Sequence, residues 1–237
     1  MQKSVKQEQN IKMSEPISIV AHQLKNPISV LTGYLEVLLS ESLGNINGKQ
    51  REYLNDAIEI LSRVQLIISD LLDVSRIEEH QYKLNNVPFD LSKITEEVLN
   101  DFSSWTKASN CEISFVSRKL PYVMADRIKI RQVLESLISN AIKYKLSGLG
   151  KIKIDFKKSG KNIIFSCKDN GIGIPIKDYS KVFSKFYRSE EAMKIDPSGV
   201  GLGLYIDKAI INISKGRLWF QKNKDGGMTF HFSLPIA

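Results

Sequence analysis

From Ile17 onward, apolar residues fall at Ile17, Ala21, Leu24, Ile28, Leu31, Leu35 and Leu38, in steps that alternate between four and three. That spacing is a heptad seam, which commits the segment to an α-helix packed lengthwise on another helix. A glycine-containing stretch, Leu43 to Lys49, interrupts the seam and reads as a connector. A second seam follows at Leu54, Ala57, Leu61, Val64, Ile68 and Leu71. The spacing predicts an antiparallel helical hairpin. A lone hairpin cannot cover both apolar faces, so two copies are expected to pair into a four-helix bundle.

His22 follows the seam position Ala21 and shares a polar face with Ser18, Lys25, Asn26 and Ser29. Taken alone it is an ordinary surface histidine. Pro27 shifts that reading, because inside a helix it removes an amide and leaves the carbonyl of Gln23 without its usual partner. Natural helices rarely carry that cost, about 3 kcal/mol, without a reason.

Beyond the hairpin the pattern changes. Asn85 to Pro88 reads as a linker, with Pro88 pushing Val87 toward an extended conformation. Leu91 to Phe102 has helical periodicity and Cys111 to Ser117 alternates like a strand. Arg127 to Lys145 is a long amphipathic helix, with Ile130, Val133, Leu134, Leu137, Ile138 and Ala141 on one side. Lys151 to Lys157 and Ile163 to Lys168 read as adjacent strands, and a lid-like stretch runs from about Arg188 to Ser198. A last helix covers Leu202 to Ile213. Two closing strands, Arg217 to Gln221 and Met228 to Leu234, meet at Lys224-Asp225-Gly226-Gly227. The alternation predicts an α/β sandwich with a mixed sheet and helices on one face.

Two glycine runs punctuate this half: Asp169-Asn170-Gly171-Ile172-Gly173-Ile174-Pro175 and Gly199-Val200-Gly201-Leu202-Gly203-Leu204. The second leads into a helix, where free amides and the positive end of the dipole favour phosphate. Either run alone could be a structural turn. Asn140, on the long helix, offers an amide oxygen to a hard cation such as Mg²⁺, and Lys143 could neutralise phosphate; both could equally be helix-surface residues. The Asp169 carboxylate could accept a hydrogen bond from an exocyclic amine such as that of adenine, or simply open a turn.

The chain has 237 residues and a formal net charge of +8, but its lysines are spread along the whole length. No basic stripe interleaved with aromatics appears, which argues against nucleic acid. Cys111 and Cys167 lack short-spaced partners, so neither a zinc site nor a disulfide framework is expected, and reduced thiols in the cytoplasm are the default. There is no signal peptide and no apolar run long enough to cross a bilayer, so a soluble protein or the cytosolic part of a larger one is expected.

Ala21-His22-Gln23-Leu24-Lys25-Asn26-Pro27 resembles the phosphoacceptor motif of sensor histidine kinases. Asp70-Leu71-Leu72-Asp73-Val74-Ser75-Arg76-Ile77-Glu78 is similar to the close of their dimerisation and phosphotransfer domain. The segments at Asn140, Asp169 to Pro175, Val182-Phe183-Ser184-Lys185-Phe186-Tyr187-Arg188 and Gly199 to Leu204 resemble, in order, the asparagine, first glycine, phenylalanine and second glycine boxes of the histidine-kinase ATP-binding domain. That domain belongs with the gyrase, chaperone and mismatch-repair ATPases.

The resemblance implies an N-terminal linker or upstream helix (1–13), a dimerisation and phosphoacceptor hairpin (14–84), a linker (85–89) and a catalytic α/β sandwich (90–237). It implies a homodimer that binds ATP and Mg²⁺, phosphorylates His22 and passes the phosphoryl group to a response-regulator receiver domain. By the same resemblance Asn140 binds Mg²⁺, Lys143 and Tyr144 face the phosphates, and Asp169 reads adenine beside Gly171 and Gly173. Phe183 and Phe186 pack the base of the lid, and Gly199, Gly201, Leu202 and Gly203 close over the phosphates. Asn26 orients water for dephosphorylation of the regulator.

Three positions depart from the family. Gln23 stands where an acidic base follows the histidine, Ser136 replaces an asparagine one turn before Asn140, and Lys25 replaces an arginine. Losing a general base is worth roughly 10²–10⁴ in rate, so the expectation is a bifunctional kinase leaning toward phosphatase activity. One alternative is a non-catalytic, dimeric ATP-binding scaffold. Another, an ATP hydrolase, is disfavoured because Ser136 occupies the place where such enzymes carry a carboxylate.

Overall fold

In the computed structural model, residue 21 and residues 23–237 are described; His22, Ile17, Ser18 and the segment 1–13 lie outside them. The chain divides into two compact units, Met1–Tyr82 and Lys83–Ala237.

The first unit contains helix α1 (residues 23–39) and helix α2 (Gly48–Glu78). Helix α2 starts on a capping box: Asn47 Oδ1 accepts from Gln50 N at 2.8 Å, and Gln50 Oε1 accepts from Asn47 N at 2.8 Å. Arg51 pairs with Glu41 and ties the connector to the helix. Ala21, Ile28 and Ile68 form the buried centre, flanked by Leu61, Val64 and Leu72. The first seam is thereby split. Ala21 and Ile28 turn inward, whereas Leu24, Leu31 and Leu38 are 45%, 50% and 41% exposed. Tyr34, Tyr53, Ile60 and Leu66 are exposed as well. One neighbouring helix covers one stripe, and the heptad spacing carries enough apolar residues for two.

The second unit is built on a five-stranded sheet in the order β2 (Cys111–Phe115), β4 (Gly150–Ser159), β5 (Asn162–Lys168), β7 (Met228–Pro235), β6 (Arg217–Lys222). The β2–β4 pair is parallel and the other pairs are antiparallel. Alternation along the strands buries Ile152, Ile154, Phe156, Ile163, Phe165, Phe232 and Leu234 on one face. Phe165 stacks on Phe232 with centroids 4.7 Å apart. The other face carries exposed Lys151, Lys153 and Lys168. The core is completed by helices α3 (Leu91–Asp101), α5 (Arg127–Lys143) and α7 (Gly203–Ile213), whose Leu91, Ile94, Val98, Ile130, Leu134, Ile138, Ile206 and Ile210 are buried. Short helices α4 (Ser103–Ala108) and α6 (Glu190–Ile195) and a 3-10 turn at Ile176–Asp178 complete the helical set among the described residues.

The expected linker is a strand. Residues Asn86–Phe89 form β1, antiparallel to β3 (Val123–Asp126), with Pro88 opposite Met124. Proline is tolerated because a two-stranded ribbon has only edge strands. Phe89 is buried, and Asn85 N donates to Asp126 Oδ2 at 2.9 Å. The other oxygen of Asp126 caps α5, accepting from Ile128 N at 3.0 Å and Lys129 N at 3.2 Å. One carboxylate therefore fixes both the start of this unit and the start of its longest helix.

Candidate functional site

Helix α5 buries Ile130, Val133, Leu134, Leu137, Ile138 and Ala141. Its polar residues Ser136, Asn140 and Tyr144 are half-buried and Lys143 is exposed. Ser136 Oγ donates to Asp207 Oδ2 of α7 at 2.6 Å. Glu135 turns away and pairs with Arg131 Nε at 2.8 Å. The helix ends at Tyr144, whose carbonyl accepts from Ile172 N at 2.9 Å. The end of α5 is thus tied directly to the first glycine run. Gly171 sits so close to that carbonyl that a Cβ would lie 2.4 Å from it.

Asp169 follows β5. Its Oδ1 accepts from Gly171 N at 2.8 Å and Met228 N at 3.1 Å, and Asn223 Nδ2 donates to its backbone carbonyl at 2.8 Å. Both side-chain bonds use Oδ1, which leaves Oδ2 to accept from a ligand. Burial pushes the carboxyl above the ordinary carboxylate range, and the two backbone amides oppose the shift. Neighbouring Asn170 bonds Lys151 N at 2.8 Å and Leu149 O at 3.1 Å, so it is a strut between strands.

The segment between the glycine runs folds on Arg188. Its guanidinium donates to Gly199 O at 2.7 Å and Ala192 O at 2.9 Å, and also to Asp196 O. It reaches Tyr144 Oη at 3.5 Å. Lys143 Nζ lies 3.5 Å from Asp196 Oδ2. Asp196 is held below the ordinary carboxylate range, first by the Ser198 hydroxyl and then by Lys143. Gly201 has φ +78°, and a Cβ there would lie 2.8 Å from Tyr187 O, so only glycine fits. Helix α7 then begins at Gly203 with no side-chain cap on its first amides.

Asn140, Lys143, Tyr144, Asp169, Gly171, Gly173, Gly199, Gly201, Leu202 and Gly203 all belong to this one unit, and the contacts above link its three segments. Gln23 and Asn26 belong to the first unit, exposed on α1. Phe183 packs against Phe220 with centroids 5.6 Å apart, and Lys208 Nζ lies 4.6 Å over its ring. Phe186, expected to pack the base of the lid, is instead 58% exposed, on a backbone with φ +60°. Sequence reasoning did not single out Arg188, Asp196, Asp207 or Asn223 as site residues. Only Arg188 had a signal, as the last residue of the phenylalanine segment. The other three become visible only through non-local contacts.

A polar helix end, a half-buried acid and a glycine-rich helix start, tied together within one α/β sandwich, are the elements of an ATPase-type domain. Residues 125–237 match the family model described as histidine kinase-, DNA gyrase B- and HSP90-like ATPase, and residues 12–80 match the His Kinase A (phospho-acceptor) domain. Over 227 residues the chain is 34% identical to the sensor histidine kinase WalK of Bacillus subtilis, covering 93% of this chain and 36% of that protein. It is 30% identical to the catalytic domain of histidine kinase ThkA, with a TM-score of 0.57, covering 64% of this chain and 96% of that one. ThkA in complex with response regulator protein TrrA is 26% identical, with a TM-score of 0.64, covering 100% of this chain and 66% of that one. The chain belongs to the histidine kinase family. It covers about a fifth to just over a third of the length of curated relatives such as WalK.

Proposed function

We propose that this chain is the catalytic core of a sensor histidine kinase: it binds ATP, phosphorylates His22 and passes the phosphoryl group to an aspartate of a response-regulator receiver domain. The observation that carries this reading is the link from Asp169 and Gly171 through Tyr144 to Arg188 and Gly199, which gathers an adenine reader and a phosphate-binding helix start around one helix end. Asp169 Oδ2 accepts from the adenine amine. Lys143 and the uncapped amides of α7 face the phosphates, and Arg188 holds the covering segment together.

In the transfer, a nitrogen of His22 bonds to the γ-phosphorus as the bond to the β–γ bridging oxygen breaks, and ADP leaves. Gln23 cannot accept the imidazole proton, which goes to solvent. Catalysis then rests on positioning and charge stabilisation.

Among the described residues no three His, Cys, Asp or Glu side chains gather as a metal cage. Mg²⁺ usually takes one or two protein oxygens together with nucleotide phosphates. The Asn140 amide oxygen and the Ser136 hydroxyl would hold it, and the ion would supply charge neutralisation at the phosphates.

The exposed stripe through Leu24, Leu31 and Leu38 is covered by a second copy, giving a homodimer. The response regulator as partner is supported by the complex in which ThkA was solved with TrrA. No described helix is long and apolar enough to cross a membrane. A reaction that consumes ATP belongs in the cytoplasm. With Gln23 in place of an acid and Asn26 exposed on α1, the balance leans toward phosphatase. The test is phosphohistidine formation from radiolabelled ATP, followed by transfer to a candidate receiver domain, in wild type and Gln23→Glu. The Glu variant is expected to phosphorylate itself faster; equal rates would remove the lean.

A further inference from the structure

Asp207 is the fifth residue of α7, and its carboxylate is buried at 1% exposure in a helix that is otherwise apolar on that side. A buried carboxylate is retained only where polar partners hold it. One of these is Ser136 Oγ, which donates to Asp207 Oδ2 at 2.6 Å across a sequence separation of 71 residues. Ser136 lies one turn before Asn140 on α5. Its hydroxyl is 3.5 Å from where a Cβ on Gly203 would stand, so it sits beside the first residue of α7. The pair therefore joins the helix that carries Asn140 to the helix whose start faces the phosphates.

We propose that Asp207 is a positioning residue that acts through Ser136 on the cation accompanying ATP; this rests on the nucleotide reading above. A serine hydroxyl has one proton and two lone pairs. With its proton directed at Asp207, the rotor is fixed and the oxygen faces its surroundings as an acceptor only. A ligand oxygen hydrogen-bonded to an anion is a better donor to a hard cation, as outer-shell carboxylates are for other metal ligands. Asp207 and Ser136 together thus do what a single amide side chain at position 136 would do, with the negative charge kept one residue removed from the ion. The competing role is a strut that merely holds α5 against α7.

Calorimetric ATP titrations of the full chain, with EDTA and with excess MgCl₂, separate the two roles. Outer-shell changes typically cost ten- to a hundredfold in metal affinity. Asp207→Asn is accordingly expected to lose about tenfold of the Mg²⁺-dependent gain in affinity, with Mg²⁺-free affinity unchanged. Ser136→Ala should show the same selective loss, and adding Asp207→Asn to it should cost nothing more. Ser136→Asn, which brings its own amide oxygen, should restore the Mg²⁺ gain in the Asp207→Asn background. Equal losses with and without Mg²⁺, or an undiminished effect of Asp207→Asn in the Ser136→Ala background, would establish a strut and overturn the inference. Should Asp207→Asn fail to fold, Ser136→Ala with an unaltered Mg²⁺ gain is sufficient to reject it. Absence of ATP binding by the wild type would instead overturn the nucleotide reading itself, and this inference with it.

Discussion

Asp169 and Met228 hold each other in both directions: Asp169 N donates to Met228 O at 2.9 Å, and Met228 N donates to Asp169 Oδ1 at 3.1 Å. The acid at the end of β5 is thereby locked to the first residue of β7. Gly227, just before it, passes so close that a Cβ would fall 2.3 Å from the Asp169 carbonyl. The turn between β6 and β7 is in this sense part of the site, because it aims the carboxylate.

Asp169→Asn keeps one acceptor oxygen and replaces the other by a donor. Hydrogen bonds to charged groups contribute about 1.5–3 kcal/mol, so ATP affinity is expected to fall roughly ten- to a hundredfold. Burial raises the Asp169 pKa, and the ionised form is the acceptor. Binding is therefore complete above that raised pKa and declines as pH falls through it, beginning above the ordinary carboxylate range. Displacement of a fluorescent nucleotide, followed from pH 8 downward as far as the fold persists, checks this. The asparagine variant should lose this component of the pH dependence, and a wild-type curve parallel to the variant's would contradict the assignment.

His231 sits on the polar face of the sheet, its Nδ1 2.7 Å from Ser166 Oγ and its ring stacked on Trp219 at 5.1 Å. Burial lowers its pKa below the ordinary value of 6.5. A group with a depressed folded pKa of this kind takes up protons more readily when unfolded. Its stabilisation is complete above 6.5 and is lost as pH falls toward and through the folded value. Thermal melts of the wild type should show Tm dropping between pH 7 and 5. His231→Phe, which keeps the stacked ring, should drop less over the same window even if it starts lower.

Arg188 makes three backbone contacts with the segment it encloses. Lysine keeps the charge but lacks the planar fork. Arg188→Lys is expected to loosen residues 188–199, seen as faster limited proteolysis within that stretch and a several-fold weaker ATP affinity. Unchanged cleavage would show that the segment is held by Lys143–Asp196 and its own helix instead.

Much of this architecture is legible in the sequence alone. Strands β4 and β5 announced themselves through alternation, Ile152 and Ile154 inward against Lys151 and Lys153 outward, and their bounds fell within two residues. Helix α5 was equally clear from its single apolar side. The β1–β3 ribbon was not, since each strand has four residues, one contains Pro88, and their pairing is non-local. The spacing of α1 predicts one stripe, yet heptad spacing does not say which partner covers which position, and Leu24, Leu31 and Leu38 lie exposed outside the hairpin's buried centre. Asp169 was visible because a glycine follows closely. Asp207 was invisible because a lone acid in an apolar helix reads as surface until its contact with Ser136 is seen.

The most direct test of the central claim is the fate of the terminal phosphate of ATP. Incubation of the chain with γ-labelled ATP and Mg²⁺ should yield an acid-labile, alkali-stable phosphoprotein that is absent in His22→Ala and chased by a receiver domain. A wild-type chain that binds ATP yet acquires no label, or one labelled equally without His22, would contradict the account.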